Sequence, residues 1–183
     1  YLSPLKWVLM LAPLAFIFVF SMRMDRMSAS SARTMFFAFA AVMGASMSTL
    51  LLVFTGASVV RVFFITAATF GGLSLYGYTT KADLTRMGSF LLMGLIGLII
   101  ASVVNIFVGS TALQFALSVI GVLVFTGLTA WDTQRLKEEY LGSFQYGGGD
   151  LAAKGAVMGA LSLYLNFINL FTFMLQLFGT QRD

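Results

Sequence analysis

Apolar residues in this chain neither alternate nor keep to one face of a helix. They run on for about twenty positions at a time, broken only by short polar segments. A stretch of that length crosses a bilayer core of about 30 Å as a helix. Six are expected, at Leu5 to Phe20, Arg33 to Phe54, Val59 to Tyr78, Phe90 to Val108, Ala112 to Trp131 and Ala156 to Phe178. Pro13 should kink the first, a break that neighbouring helices tolerate in lipid. The connections are short, so consecutive helices should pack antiparallel, and residues 1–183 read as one transmembrane helical domain. The predicted fold class is an all-α integral membrane protein, a bundle of six transmembrane helices.

Composition narrows the chemistry. The 183 residues are 59% hydrophobic and 10% charged, and the mean hydropathy of +0.93 lies far beyond that of an ordinary globular domain. With neither Cys nor His, the chain lacks the thiolate and imidazole ligands of zinc, copper and haem sites and the nucleophile pairs of common hydrolases. No other nucleophile and base stand at hydrogen-bonding spacing, so a non-enzymatic protein without metal or cofactor is expected. Tyr1 precedes an apolar run with no basic leader and no small-residue cleavage site, which reads as a missing front end rather than a signal peptide.

Charge sets the orientation. Arg23, Arg26 and Arg33, then Lys81 and Arg86, then Arg135, Lys137 and Lys154 fall in alternate loops and hold every basic residue except Lys6, Arg61 and Arg182. Basic residues accumulate in cytoplasmic loops, so these loops should be cytoplasmic and Tyr1 and Asp183 external. The loops account for the net charge of +4, meet lipid headgroups, and leave no reason to propose a nucleic-acid partner. Arg61 should contact headgroups on the other side, and Trp7 and Trp131 fall near opposite ends of the bundle as interfacial anchors. Small residues four apart, Ala40 with Gly44 and Ser48, Ala67 with Gly71, Ala68 with Gly72, and Gly97 with Ala101, predict faces where helix backbones come close, within the chain or in a dimer. Gly147 to Asp150, "GGGD", lacks the Lys-Ser/Thr of a phosphate loop and reads as a flexible hinge.

Polar groups in hydrocarbon cost free energy unless they find partners. On the last span Ser162, Asn166, Asn169 and Gln176 fall within roughly 40° of one line at about 100° per residue. On the preceding span Gln114, Ser118, Gly121, Thr129 and Asp132 share a face, with Phe125 between them. The two stripes can satisfy each other as interhelical glue, at about 0.6 kcal/mol per bond, or line a hydrated, proton-linked path. Asp132 ends its apolar span with no intervening loop. It is either a solvated helix-end charge or a carboxylate about one to two turns below the surface in need of a cation, with Arg135 the local candidate and Arg23 the tertiary one.

"AWDTQRLK" at the end of the fifth span, then "ALSLYLNFINLF" and the closing "LQLFG", together with "LSLYGYTTKADL" after the third span, resemble the Bax inhibitor-1 (transmembrane Bax inhibitor motif) family in its bacterial branch. The resemblance covers essentially the whole chain. It implies seven helices with a cytoplasmic N-terminus, so that the first family helix would precede Tyr1. It also implies one of two activities: a pH-sensitive calcium leak, or, as in some bacteria, restraint of a membrane-anchored AAA protease. In the family's leak two aspartates on the last two helices share a hydrogen bond, and an arginine at the end of the second family helix latches onto one of them. By resemblance these map onto Asp132, onto Asn166 in "LYLNFINLF", and onto Arg23 in "FSMR".

Asn166 stands where the family keeps an acid. Two neighbouring carboxylates cannot both ionise readily, so one holds a proton and the pair senses pH. An amide donates a hydrogen bond but releases no proton near neutral pH. The expectation is a weakened pH-sensing site with Asp132 latched to Arg23. Asn166 lies about 18 Å along the helix from Lys154, so the two residues can meet only if the last helix projects beyond the membrane. Two functions follow: a regulatory or accessory protein of the bacterial inner membrane that binds another membrane complex such as an AAA membrane protease, or a calcium or cation leak channel.

Overall fold

The computed structural model describes residues 15–23, 26–146 and 148–182, and all long elements are helices. They are α1 (15–23), α2 (Ala29–Met47), α3 (Leu50–Val53), α4 (Gly56–Thr79), α5 (Thr85–Val108), α6 (Thr111–Tyr146) and α7 (Gly148–Phe178). Among the described residues five spans are long and apolar enough to cross a membrane: α2 continued through α3, then α4, α5, α6 and α7. Most of the expected first span, with Pro13 and Trp7, lies outside the described residues. Its last part, 15–20, is helical.

Helix ends follow local chemistry. The Ser28 hydroxyl accepts the Ser31 amide at 3.2 Å and starts α2. Ser48 and Thr49 turn their hydroxyls onto the carbonyls of Ala45 and Ser46, so the expected single helix from Arg33 to Phe54 breaks there into α2 and α3. Gly109, at φ 65°, reverses the chain between α5 and α6. The Ser110 hydroxyl then accepts the Leu113 amide. In the α4–α5 loop the Asp83 carboxylate accepts both the hydroxyl of Thr85, at 2.6 Å, and its amide, at 2.9 Å. These bonds hold its carboxyl below the usual carboxylate range.

Hydropathy marked the end of the fifth span at Trp131, but the helix runs on to Tyr146. The sequence after Trp131, "DTQRLKEEYL", is rich in helix formers, and Arg135 pairs along the helix with Asp132 and Glu139. Of the expected hinge at 147–150, Gly147 lies outside the described residues, and Gly148, at φ 75°, already opens α7. With 36 and 31 residues, α6 and α7 are about 54 and 46 Å long, so both project beyond the apolar layer as a helical hairpin.

α6 and α7 form the centre. α4 packs against both, α5 against α6, and α2 against α7. One buried cluster, with Leu98, Leu128, Leu170 and Leu175, joins α4, α5, α6 and α7. A second, Phe20, Ala32, Phe39 and Leu161, fastens α1 and α2 to α7. The glycines of the small-residue faces expected from the sequence are not the ones pressed against a neighbour. Gly44, Gly71, Gly72 and Gly97 face open space, whereas a side chain at Gly77 would strike the Ala130 carbonyl and one at Gly88 the Trp131 ring. A four-residue spacing of small side chains marks a smooth face, but only the partner's own contour decides whether a backbone comes near. Trp131 therefore packs as a wedge against α5, with the Arg135 guanidinium 4.7 Å over its ring.

Candidate functional site

Where α6 meets α7, the Asp132 carboxylate is 5% exposed and Asn166 is 6% exposed. The Asn166 amide donates to Asp132 Oδ2 at 2.7 Å, and the Ser162 hydroxyl donates to the same oxygen at 2.8 Å. Asp132 Oδ1 faces Arg135 Nη2 at 2.9 Å. Both oxygens of a buried carboxylate are thus matched, one by a cation one turn along its own helix and the other by two neutral donors across the seam. The contact is possible because both helices project. Asp132 lies about 14 residues before the α6–α7 break and Asn166 about 18 after it, so similar lengths of helix bring them to one level.

The cation differs from the one expected by resemblance. Arg23 is exposed at the end of α1, and the guanidinium on Asp132 belongs to Arg135. The cause is topological: α1 is held on the α2 side of α7 by Phe20, while Asp132 comes from α6. An arginine one turn away on the same helix meets the carboxylate at little entropic cost, whereas Arg23 would have to cross from another layer.

The rest of the two stripes divides into three parts. At the far end of the seam the Ser118 hydroxyl donates to Gln176 Oε1 at 2.8 Å. In between, the seam is apolar, with the rings of Phe125 and Phe173 stacked at 5.9 Å and Gly121 lying directly against Phe173. Thr129 and Asn169, which the periodicity grouped with the stripes, donate to carbonyls of their own helices, Phe125 and Leu165. Gln114 is exposed and stands apart from the seam. The sequence therefore placed two interhelical polar contacts on the right face and overestimated their continuity. A hydroxyl or amide in an apolar helix can always turn back to the carbonyl four residues earlier, and periodicity cannot see that choice.

Gln134 was not foreseen. Its amide donates to the Ala82 carbonyl at 2.7 Å and its carbonyl accepts the Leu84 amide at 2.9 Å, while the Lys137 ammonium donates to the Tyr78 carbonyl at 2.9 Å. The α6 segment that carries Asp132 and Arg135 toward α7 thus clasps the α4–α5 loop on its other side. The signal was present in "WDTQR", where Gln134 adjoins the ionic residues, but its partners are main-chain groups about fifty residues away and leave no trace in side-chain pattern.

A groove of about 460 Å3 between α5 and α7 reaches this site, walled by Ser102, Ser162, Asn166 and Asn169 among apolar residues. A second, of about 570 Å3, runs along the projecting hairpin between Tyr140 and Leu141 on one wall and Gly155, Ala156 and Ala160 on the other. Among the described residues no three of His, Cys, Asp and Glu gather as metal ligands. A calcium ion, which takes six to eight oxygens, would find one carboxylate here, and that one is already paired.

A family model described as "Inhibitor of apoptosis-promoting Bax1" matches residues 1–183. A protein of Caulobacter vibrioides is 49% identical over 99% of this chain and 72% of its own length, and one of Rickettsia prowazekii is 48% identical over 96% and 73%. The inner membrane protein YbhL of Escherichia coli K12 is 44% identical over 95% of this chain and 74% of its own length. With the all-helical membrane bundle and the whole-chain match, the protein belongs to the Bax inhibitor-1 family, as a multi-pass protein of the bacterial inner membrane.

Proposed function

We propose that this protein is a regulatory or accessory member of its family, which docks against another membrane complex, such as a membrane protease, with its Asp132 site held closed by an amide. The observation that carries this reading is the 2.7 Å bond from the Asn166 amide to the buried Asp132 carboxylate. The amide makes the bond that a shared proton would make between two acids, and it does not release it as pH changes. The site then acts as a fixed joint between α6 and α7. The groove along the hairpin supports the docking role, since its wall of Gly155, Ala156 and Ala160 admits close approach by another helix. The distribution of basic residues supports a reading in which the hairpin and the other basic loops are cytoplasmic and the C-terminus periplasmic.

Calcium flux into vesicles at two pH values, set beside affinity capture in mild detergent, tests the proposal. A stoichiometric membrane partner and negligible flux are expected, and a steeply pH-dependent flux in the parent protein would refute it. Asn166→Asp restores a second acid at bonding distance and should introduce a pH dependence that the parent lacks. The second reading, a cation leak, is favoured by the groove that reaches Asn166. On that reading Asp132→Asn, which removes the charge holding Arg135, should raise flux.

A further inference from the structure

The end of the bundle opposite Asp132 carries a different charge. Among the described residues every acidic side chain lies toward the Asp132 end: Asp83 in the α4–α5 loop, and Asp132, Glu138, Glu139 and Asp150 on α6 and α7. The opposite end carries Arg61 and Arg182, both exposed and in no ion pair among the described residues. Arg182 is held in place by the main chain. The Thr55 amide donates to the Thr180 carbonyl at 2.9 Å, the Arg182 amide to the Val53 carbonyl at 2.8 Å, and the Thr180 amide to the Ser58 hydroxyl at 2.7 Å. The segment after α7 is thereby stitched to the α3–α4 junction, and Arg182 sits beside the end of α3.

The same junction borders an apolar groove of about 460 Å3 between α2, α3, α4 and α7. Gly44 forms part of one wall, Leu50 and Leu51 lie near the Arg182 end, and Val60 and Phe64 line the α4 side. Arg61 follows Val60 and precedes Phe64 by three residues, which puts it next to the α4 wall of the groove. It stands about 7 Å along α4 from Gly56, within reach of the headgroup level by snorkelling. A groove lined by hydrocarbon with exposed arginines beside it matches an amphiphile with an anionic head, because guanidinium binds phosphate oxygens through paired N–H donors.

We infer that this groove binds one acyl chain of an anionic phospholipid, with Arg61 and Arg182 on its phosphate. The site belongs to the leaflet at the α4 N-terminal end and is independent of the Asp132 contact.

Native mass spectrometry of the purified full chain in detergent, offered equal amounts of phosphatidylglycerol and phosphatidylcholine, tests the assignment. One phosphatidylglycerol should be retained in preference, and Arg61→Ala with Arg182→Ala should lower that preference about fivefold for each arginine. Gly44→Leu, at a position where an added Cβ meets nothing within 4 Å, should fill the groove and reduce retention while leaving the helical circular dichroism unchanged. Arg86→Ala, at the other end, should have no effect. Equal retention of the two lipids by the parent, a loss as large in Arg86→Ala as in the arginine pair, or full retention by Gly44→Leu would each overturn it.

Discussion

α5 and α7 are both membrane spans, and they differ in a way opposite to the rule for soluble proteins. α5 is the most apolar span and among the least buried, while α7 is the least apolar and the most buried. Lipid tails solvate α5, with Phe107 and Ile106 outward, as well as any protein core would. α7 carries Ser162, Asn166 and Gln176, which need partners that lipid cannot supply and that α6 does. In a bilayer, then, the central helix is identified by its polar content rather than by its hydropathy.

The largest test concerns close approach. Gly77 and Gly72 lie on one helix, yet a Cβ at Gly77 would strike a backbone carbonyl of α6, and one at Gly72 would meet nothing within 4 Å. Gly77→Val should destabilise the bundle by about 3 kcal/mol or prevent its folding, and Gly72→Val should be close to neutral. Thermal unfolding in detergent distinguishes them, and equal losses would show that α4 is not held against α6 as described.

A smaller contrast separates the two asparagines of α7. Asn166→Leu removes a donor from a buried carboxylate and should cost about 2 kcal/mol. Asn169→Leu removes only a bond to its own helix and should cost less than about 0.5 kcal/mol. If Asn169→Leu proved the costlier in the same melting assay, the role assigned to the Asp132 contact would fall. Smaller still is the contact at the far end of the seam, where Ser118→Ala should cost about 0.6 kcal/mol.

The smallest effect is outside the membrane. Asp83 is held below its ordinary range by Thr85, so its contribution to the α4–α5 turn is present above the unfolded carboxylate value and is lost as pH falls through the lowered one. Protection of the Thr85 amide, relative to its intrinsic exchange rate at each pH, should fall only at acid pH, and Asp83→Ala should remove that step.

Among the site residues, Asp132, Asn166, Ser162, Ser118 and Gln176 were legible because a polar side chain in a long apolar run has few explanations. Arg135 was legible as a local partner through its spacing of three. Gln134 was not, and periodicity could not foresee that Thr129 and Asn169 bond to their own helices or that Gln114 is exposed.

The amino-acid order by itself determined where the five described spans lie, the separation of basic loops and the presence of polar groups within the last two spans, since hydropathy, charge and residue identity are local quantities. Tertiary structure decided which glycines are pressed, which arginine faces Asp132, and how far α6 and α7 project together. These depend on distances between segments remote in the chain, and in lipid no gradient of hydrophobicity points a helix inward.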